Sequence, residues 1–220
     1  MKNVRVWFSK NGTAKYISHL DLNRVILRAI QQSKIPIKRT EGFNPRISIT
    51  FALPLSLGFS SENESMDMTL LNDIYDKDDI IEKINCGLPA GIKIFDLTEP
   101  VMPASSITEA DFEVYVKSDK FSTDELYNKF CSFFDSDNII VEKRTKKGTM
   151  KNVDLKVFLN HYQIKYISDR VIINLRLPAG NNININPMLI FNAAENSFND
   201  SLYIDILRKN LYNNKGEIFR

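Results

Sequence analysis

The stretches "SKNGTAKYISHLDLNR" (9–24) and "TEGFNPR" (40–46) hold the residues best suited to chemistry. His19 falls in the first turn of an expected helix. An imidazole there can carry a proton, touch a bound group, or simply donate to a nearby carbonyl. Asp21 lies two positions on; at about 100° per helical residue it points away from His19, a poor geometry for a catalytic dyad. Arg24 and Arg28 stand one turn apart on a shared face and could grip adjacent anionic groups, or form an ordinary solvated face. Phe43 sits in a turn marked by Gly42, Asn44 and Pro45, with Lys38, Arg39 and Arg46 around it. A ring in that position either folds back onto the protein or offers a stacking surface. Cations beside it are the pattern of single-stranded nucleic-acid contacts, where bases stack and phosphates meet positive charge.

A second basic turn, "EKRTKKGTMK" (142–151), gathers Lys143, Arg144, Lys146, Lys147 and Lys151 around Gly148. It suits phosphate attraction without sequence readout, and a solvated hairpin tip explains it as well. Glu62, Glu64 and Asp67 place three acids within six residues, yet the two histidines are far apart in sequence and no convergent ligand set can be named. No GxxxxGK[ST], GxSxG or HExxH occurs, and no Cys/His pairing stands out. The chain does not advertise an enzyme.

Composition sets the frame for these clusters. With 220 residues, 43% hydrophobic, the chain can bury one large core or two small ones. Its apolar runs are strand-sized and broken by charges, which offers no transmembrane helix, and the N-terminus lacks a signal-peptide core. Two cysteines, Cys86 and Cys131, make neither a disulfide framework nor a metal pair, so a reducing, cytoplasmic setting is expected. The net charge of +2 hides a segregation: residues 1–50 carry ten Lys/Arg against two Asp/Glu, and residues 51–100 carry three against ten. Residues 137–176 are basic again. Such blocks read either as deliberate surfaces or as ordinary solvated faces.

The elements that would position these residues follow from periodicity. "VRVWFSK" alternates as a strand, and Ser18 caps a helix whose stripe is Leu22, Val25, Ile26, Ala29 and Ile30. "IPIKRT" and "RISITFALPL" read as extended runs joined by the Gly42–Pro45 turn, and "SMDMTLL" as a short strand. A helix over "DKDDIIEKIN" stops at Gly87 and Pro89, and "GIKIFDLTEPV" closes the unit. After "MPASSITEA" the order restarts: strand "DFEVYVKS", helix "STDELYNKFCSFFDS", strand "NIIVEKRT", hairpin "HYQIKYIS"/"RVIINLRLP", and a helix opened by Asn186 and Pro187. The tail "YIDILRKNLYNN" is a short amphipathic segment. The expectation is an α+β protein of tandem ferredoxin-like (split βαβ) units with antiparallel sheets, spanning residues 1–103 and 109–220. The helices would cover one sheet face and leave the other open.

The run "VRVWFSKNGTAKYISHLDLNRVILRAI", then "IPIKRTEGFNPRISITFALPLSLGFSSENESMDMTL" and "LPAGIKIFDL", resembles the radical SAM-linked (radical SAM-associated) family, a bacterial domain of unknown function. The likeness is dense through residues 4–70 and thins to "LPAGNNININP" and "LRKNLY" in the C-terminal half. It implies association with a radical SAM enzyme, which the family either accompanies as a separate protein or ends as a C-terminal part. It also implies neighbouring genes for ribosomal proteins and an RNase of the E/G type. The family's motif falls here on His19, Asp21, Arg24, Gly42, Phe43, Asn44, Pro45, Glu64 and Asp67; a histidine usual after Asn-Pro is replaced by Arg46. Without CxxxCxxC the chain cannot ligate the iron–sulfur cluster, so cluster and S-adenosylmethionine would belong to the partner.

Three functions stay open on the sequence. The first is a non-catalytic accessory or substrate-recognition subunit for a separately encoded radical SAM enzyme, with no cofactor of its own, on RNA or a ribosomal component. Arg24, Arg28, Lys38, Arg39, Arg46, Lys143, Arg144, Lys146 and Lys147 would meet phosphates and Phe43 would stack. Its rivals are a metal-independent endoribonuclease using His19 and a protein–protein adaptor docking through the acidic residues 62–82.

Overall fold

Alternation and capping account for where the elements lie. The structure, a computed structural model, describes residues 1–144 and 150–220, the side chains of Lys143 and Arg144 excepted. Strand β1 (Lys2–Lys10) turns Val4, Val6 and Phe8 inward, and helix α1 (His19–Ser33) begins where the Ser18 hydroxyl accepts from the Asp21 N–H. A three-residue strand β2 (Ile49–Phe51) and a long β3 (Ser60–Leu70) follow. Helix α2 (Lys77–Asn85) is capped by Asp76, with Asp78 and Asp79 in its first turn, and β4 (Ile92–Thr98) closes the first half. The second half runs β5 (Ile107–Ser118), α3 (Thr123–Phe134), β6 (Ile140–Arg144), β7 (Met150–Asp154), β8 (His161–Ile167), β9 (Arg170–Pro178), α4 (Met188–Phe198) and β10 (Leu202–Asn213). A reciprocal capping box between Ser122 and Glu125 starts α3.

The halves repeat one topology. In each, two strand–helix–strand passages interlock, giving the ferredoxin-like orders β4-β1-β3-β2 and β10-β5-β9-β8. The β6–β7 hairpin is an addition to the second. The pairs within each half are antiparallel, as expected; β3 and β10 join the halves with a parallel pairing, Leu207 against Ser60 and Arg208 against Ser61. One core lies between α1, α2 and strands β1, β3 and β4, and the other between α3, α4 and strands β5, β9 and β10.

At that parallel seam sits a buried ion pair. The Arg208 guanidinium donates to both Glu64 carboxylate oxygens, at 3.0 and 2.6 Å, and to the Leu53 and Pro54 carbonyls. Both side chains are about 5% exposed or less. Arg208 shares its strand face with Ile204 and Ile206, and Glu64 shares its face with Met66 and Met68, so all four helices cover the same side of the sheet. The Lys10 ammonium lies beside the pair and donates to the Ile17 carbonyl at 2.7 Å. Burial pushes Lys10 below its ordinary pKa, and Glu64 pulls it back up.

Several expectations change. "RISITFALPL" is not one strand: after Phe51 the chain leaves the sheet, and Leu53, Leu55 and, beyond the run, Phe59 plug the core of the other half. "IPIKRT" forms only isolated bridges, Ile37 to Leu70 and Arg39 to Ile47. "SMDMTLL" belongs to an eleven-residue strand. The tail "YIDILRKNLYNN" is the β10 strand in the middle of the sheet. The side opposite the helices is not fully open either. The chain end crosses it, with Arg5 donating to the Arg220 carbonyl at 2.8 Å and lying 4.3 Å from the Phe219 ring centre.

Removing one partner from a buried pair strands the other charge without water. Arg208→Met is expected to cost about 3–5 kcal/mol in urea unfolding, and Glu64→Leu with Arg208→Met clearly less. A single-variant loss under about 1 kcal/mol would show that the seam does not rest on this contact.

Candidate nucleic-acid interface

The basic hairpin is built off the outer edge of β3. The Lys38 N–H donates to Thr69, the Thr40 N–H to the Arg46 carbonyl at 2.8 Å, and the Ser48 N–H to Lys38. The Thr40 hydroxyl takes a further bond from the Arg46 N–H. These contacts set Lys38, Arg39 and Arg46 on the two arms of one hairpin, and Gly42 makes its turn at φ 127°, a value side chains disfavour. Every residue from 38 to 46 is exposed, and the Phe43 ring is wholly in solvent at 106% relative exposure. Lys38, Arg39 and Arg46 form no ion pair among the described residues. Asn44 and Pro45 share the exposed tip.

Helix α1 supplies the neighbouring residues. The His19 ring packs edge-on against Phe51 of β2, centroids 4.9 Å apart, and Phe51 in turn meets Phe8. Its Nδ1 is sealed from solvent without a hydrogen-bond partner, as is Asn23 Oδ1 one turn along the same face. Asn23 carried no signal in the sequence. Asp21 is engaged elsewhere: it accepts from the Ser18 hydroxyl at 2.7 Å and from Arg24 at 2.9 Å. Those contacts, Ser18 first, hold its carboxyl below the ordinary range. Arg24 is thereby partly neutralised, whereas Arg28 is exposed and in no ion pair among the described residues.

The acids of β3 have partners the sequence does not reveal. Glu62 pairs with Lys209, Glu64 with Arg208, and Asp67 accepts from Arg5 at 2.7 and 2.8 Å. Glu64 and Asp67 therefore hold the sheet together. No group of three or more His, Cys, Asp or Glu among the described residues could hold a metal. Of the second basic turn, Lys146 and Lys147 lie outside the described residues, as do the side chains of Lys143 and Arg144. Lys151 is exposed on β7. A largely apolar cavity of about 350 Å³ lies elsewhere, on the helix-free side between Trp7, Phe95 and Phe219. Among the described residues no helix is long and apolar enough to cross a membrane.

Similarity to known proteins fits this fold. The chain is similar to a chain in the crystal structure of a Cbf5–Nop10–Gar1 complex, with a TM-score of 0.50 at 8% identity, over 94% of this chain. It spans 48% of that longer chain. Against a crystallised unknown protein from Galdieria sulphuraria the TM-score is only 0.27, at 12% identity over 94% of this chain and 98% of that one. No curated protein matches. Residues 3–187 match the family described as an uncharacterized protein conserved in bacteria, DUF2344, and the chain belongs to that family.

Proposed function

We propose that this chain is a non-catalytic accessory or substrate-recognition subunit of a separately encoded radical SAM enzyme, and that it holds RNA or an RNA-bearing ribosomal component through the 38–46 hairpin. One observation carries the RNA reading: a phenyl ring stands fully in water at a hairpin tip, between three exposed cations. An apolar ring gains nothing from that position until a flat partner covers it. A nucleobase does so while Lys38, Arg39 and Arg46 take the phosphates on either side. Arg28, exposed on α1, would add a further cation for phosphate. The radical SAM partner rests on the resemblance of the His19–Arg24 and Gly42–Pro45 motifs. That partner would carry the cluster and the S-adenosylmethionine, in the cytoplasm.

The endoribonuclease reading finds less support. A general base needs a group that orients it. No carboxylate of the described residues bonds to His19, and its Nδ1 is enclosed against the protein. A pure adaptor leaves the exposed Phe43 and its cations unused.

Two measurements separate these readings. In fluorescence anisotropy with single-stranded RNA, changing Lys38, Arg39 and Arg46 together to Gln is expected to weaken binding and flatten the salt dependence. The slope of log affinity on log salt should drop by about 2, since each single-strand phosphate contact contributes roughly 0.7. Phe43→Ala should cost about 1–3 kcal/mol with the slope unchanged. Affinity indifferent to both changes would defeat the hairpin as the RNA site. Separately, labelled RNA incubated with the protein in EDTA should stay intact for the wild type and for His19→Ala alike. Cleavage lost in His19→Ala would establish the nuclease instead.

A further inference from the structure

Strand β8 ends the sheet, and among the described residues nothing pairs its outer edge. Its seven residues are exposed but for Ile164, including Tyr162, Tyr166 and Ile167. An unpaired edge of that length is a template for another strand, and proteins usually blunt such edges with charge, proline or a bulge. "HYQIKYI" carries one charge and no proline, and its register with β9 is unbroken.

We propose that β8 is the two-fold seam of a homodimer, pairing antiparallel with β8 of a second copy about Ile164. An isologous interface must be self-complementary, and this strand is. The axis at Ile164 sets Tyr162 opposite the partner copy's Tyr166, and Gln163 opposite its Lys165. His161 meets the second copy's Ile167. No like charges face each other. Alternation puts Tyr162, Ile164 and Tyr166 on the helix side, where Tyr162 already leans on Phe134 and Tyr166 on Tyr127, ring centres 4.9 and 5.2 Å apart. Two preset rings per copy thus stack across the seam, the kind of cross-strand pair that stabilises sheets. The opposite sheet edge does not share this symmetry: the same operation on β4 about Phe95 sets Ile94 against Asp96, which is held by Lys77. The proposal stands independently of RNA binding, since the 38–46 hairpin springs from the other half.

Sedimentation velocity of the whole chain over a concentration series tests it. The wild type should show a monomer–dimer equilibrium. Gln163 is exposed on the helix-free side, so its substitutions leave the core alone, and matching thermal melts confirm that. Gln163→Glu creates two Glu–Lys pairs per dimer and should tighten Kd about twofold to thirtyfold; Gln163→Lys should weaken it similarly. Adding Lys165→Glu to Gln163→Lys should restore it. A monomer at every concentration overturns the proposal, as does a dimer indifferent to these charges. A monomer that instead binds a synthetic strand peptide overturns it too, and assigns the edge to another protein.

Discussion

The Glu64–Arg208 ion pair is what makes two ferredoxin-like halves share one sheet. Only two residue pairs of β3 and β10 register across the seam, too short a ladder to define a junction alone. The guanidinium adds a fork that reads both carboxylate oxygens and two carbonyls of the 52–59 loop. That loop is committed to the other half by Leu53, Leu55 and Phe59. Charge and packing thus lock the same three segments. A buried pair of this kind adds less to stability than its contacts suggest, because desolvation offsets most of the Coulomb gain. Its consequence here is geometric: it fixes which strand meets which, and on which face.

The exposed hairpin follows from the same junction. β10 occupies the outer edge of β3 at Ser60 and Ser61, and β2 is left only the stretch opposite Met66 to Met68. The chain between α1 and β2 therefore has little sheet to join. It bonds to β3 at Lys38, folds on itself through Thr40 and Arg46, and carries its tip into solvent. His19 lies near the root of that hairpin, because Phe51, the last residue of β2, is the ring against which it packs. Helix, hairpin and seam are coupled through consecutive residues of one segment.

Much of this was legible in the sequence. The alternation of "VRVWFSK" and "RVIINLRLP", the α1 stripe and the Ser18 cap are local signals, and each marks an element correctly. The repeated order of strands and helices was legible for the same reason. The tail was not, because Arg208 occupies an inward position of β10 and breaks the apolar alternation that would have marked a strand. "RISITFALPL" misleads in the opposite way. Leu53 and Leu55 are buried as a plug in the other core, whereas Ile47, Ile49 and Phe51 pack on their own half, and burial leaves the same trace in composition whatever the backbone does. Glu64 and Asp67 belong to a motif but bond to cations 144 and 62 residues away, a distance no spacing rule reaches. The hairpin turn itself was plain, since Gly, Asn and Pro state their backbone needs locally.

The proposed stacking of RNA on residue 43 can be tested directly. Trp7 is the only tryptophan, so Phe43→Trp in a Trp7→Phe background leaves a single reporter at the hairpin tip. Titration with a single-stranded oligonucleotide at low salt should quench its emission saturably, in step with anisotropy, and added salt should reverse the effect. Emission that stays constant while the RNA is bound would place the nucleic acid on some other surface, and an oligonucleotide that never binds would leave the ring and its cations without this role.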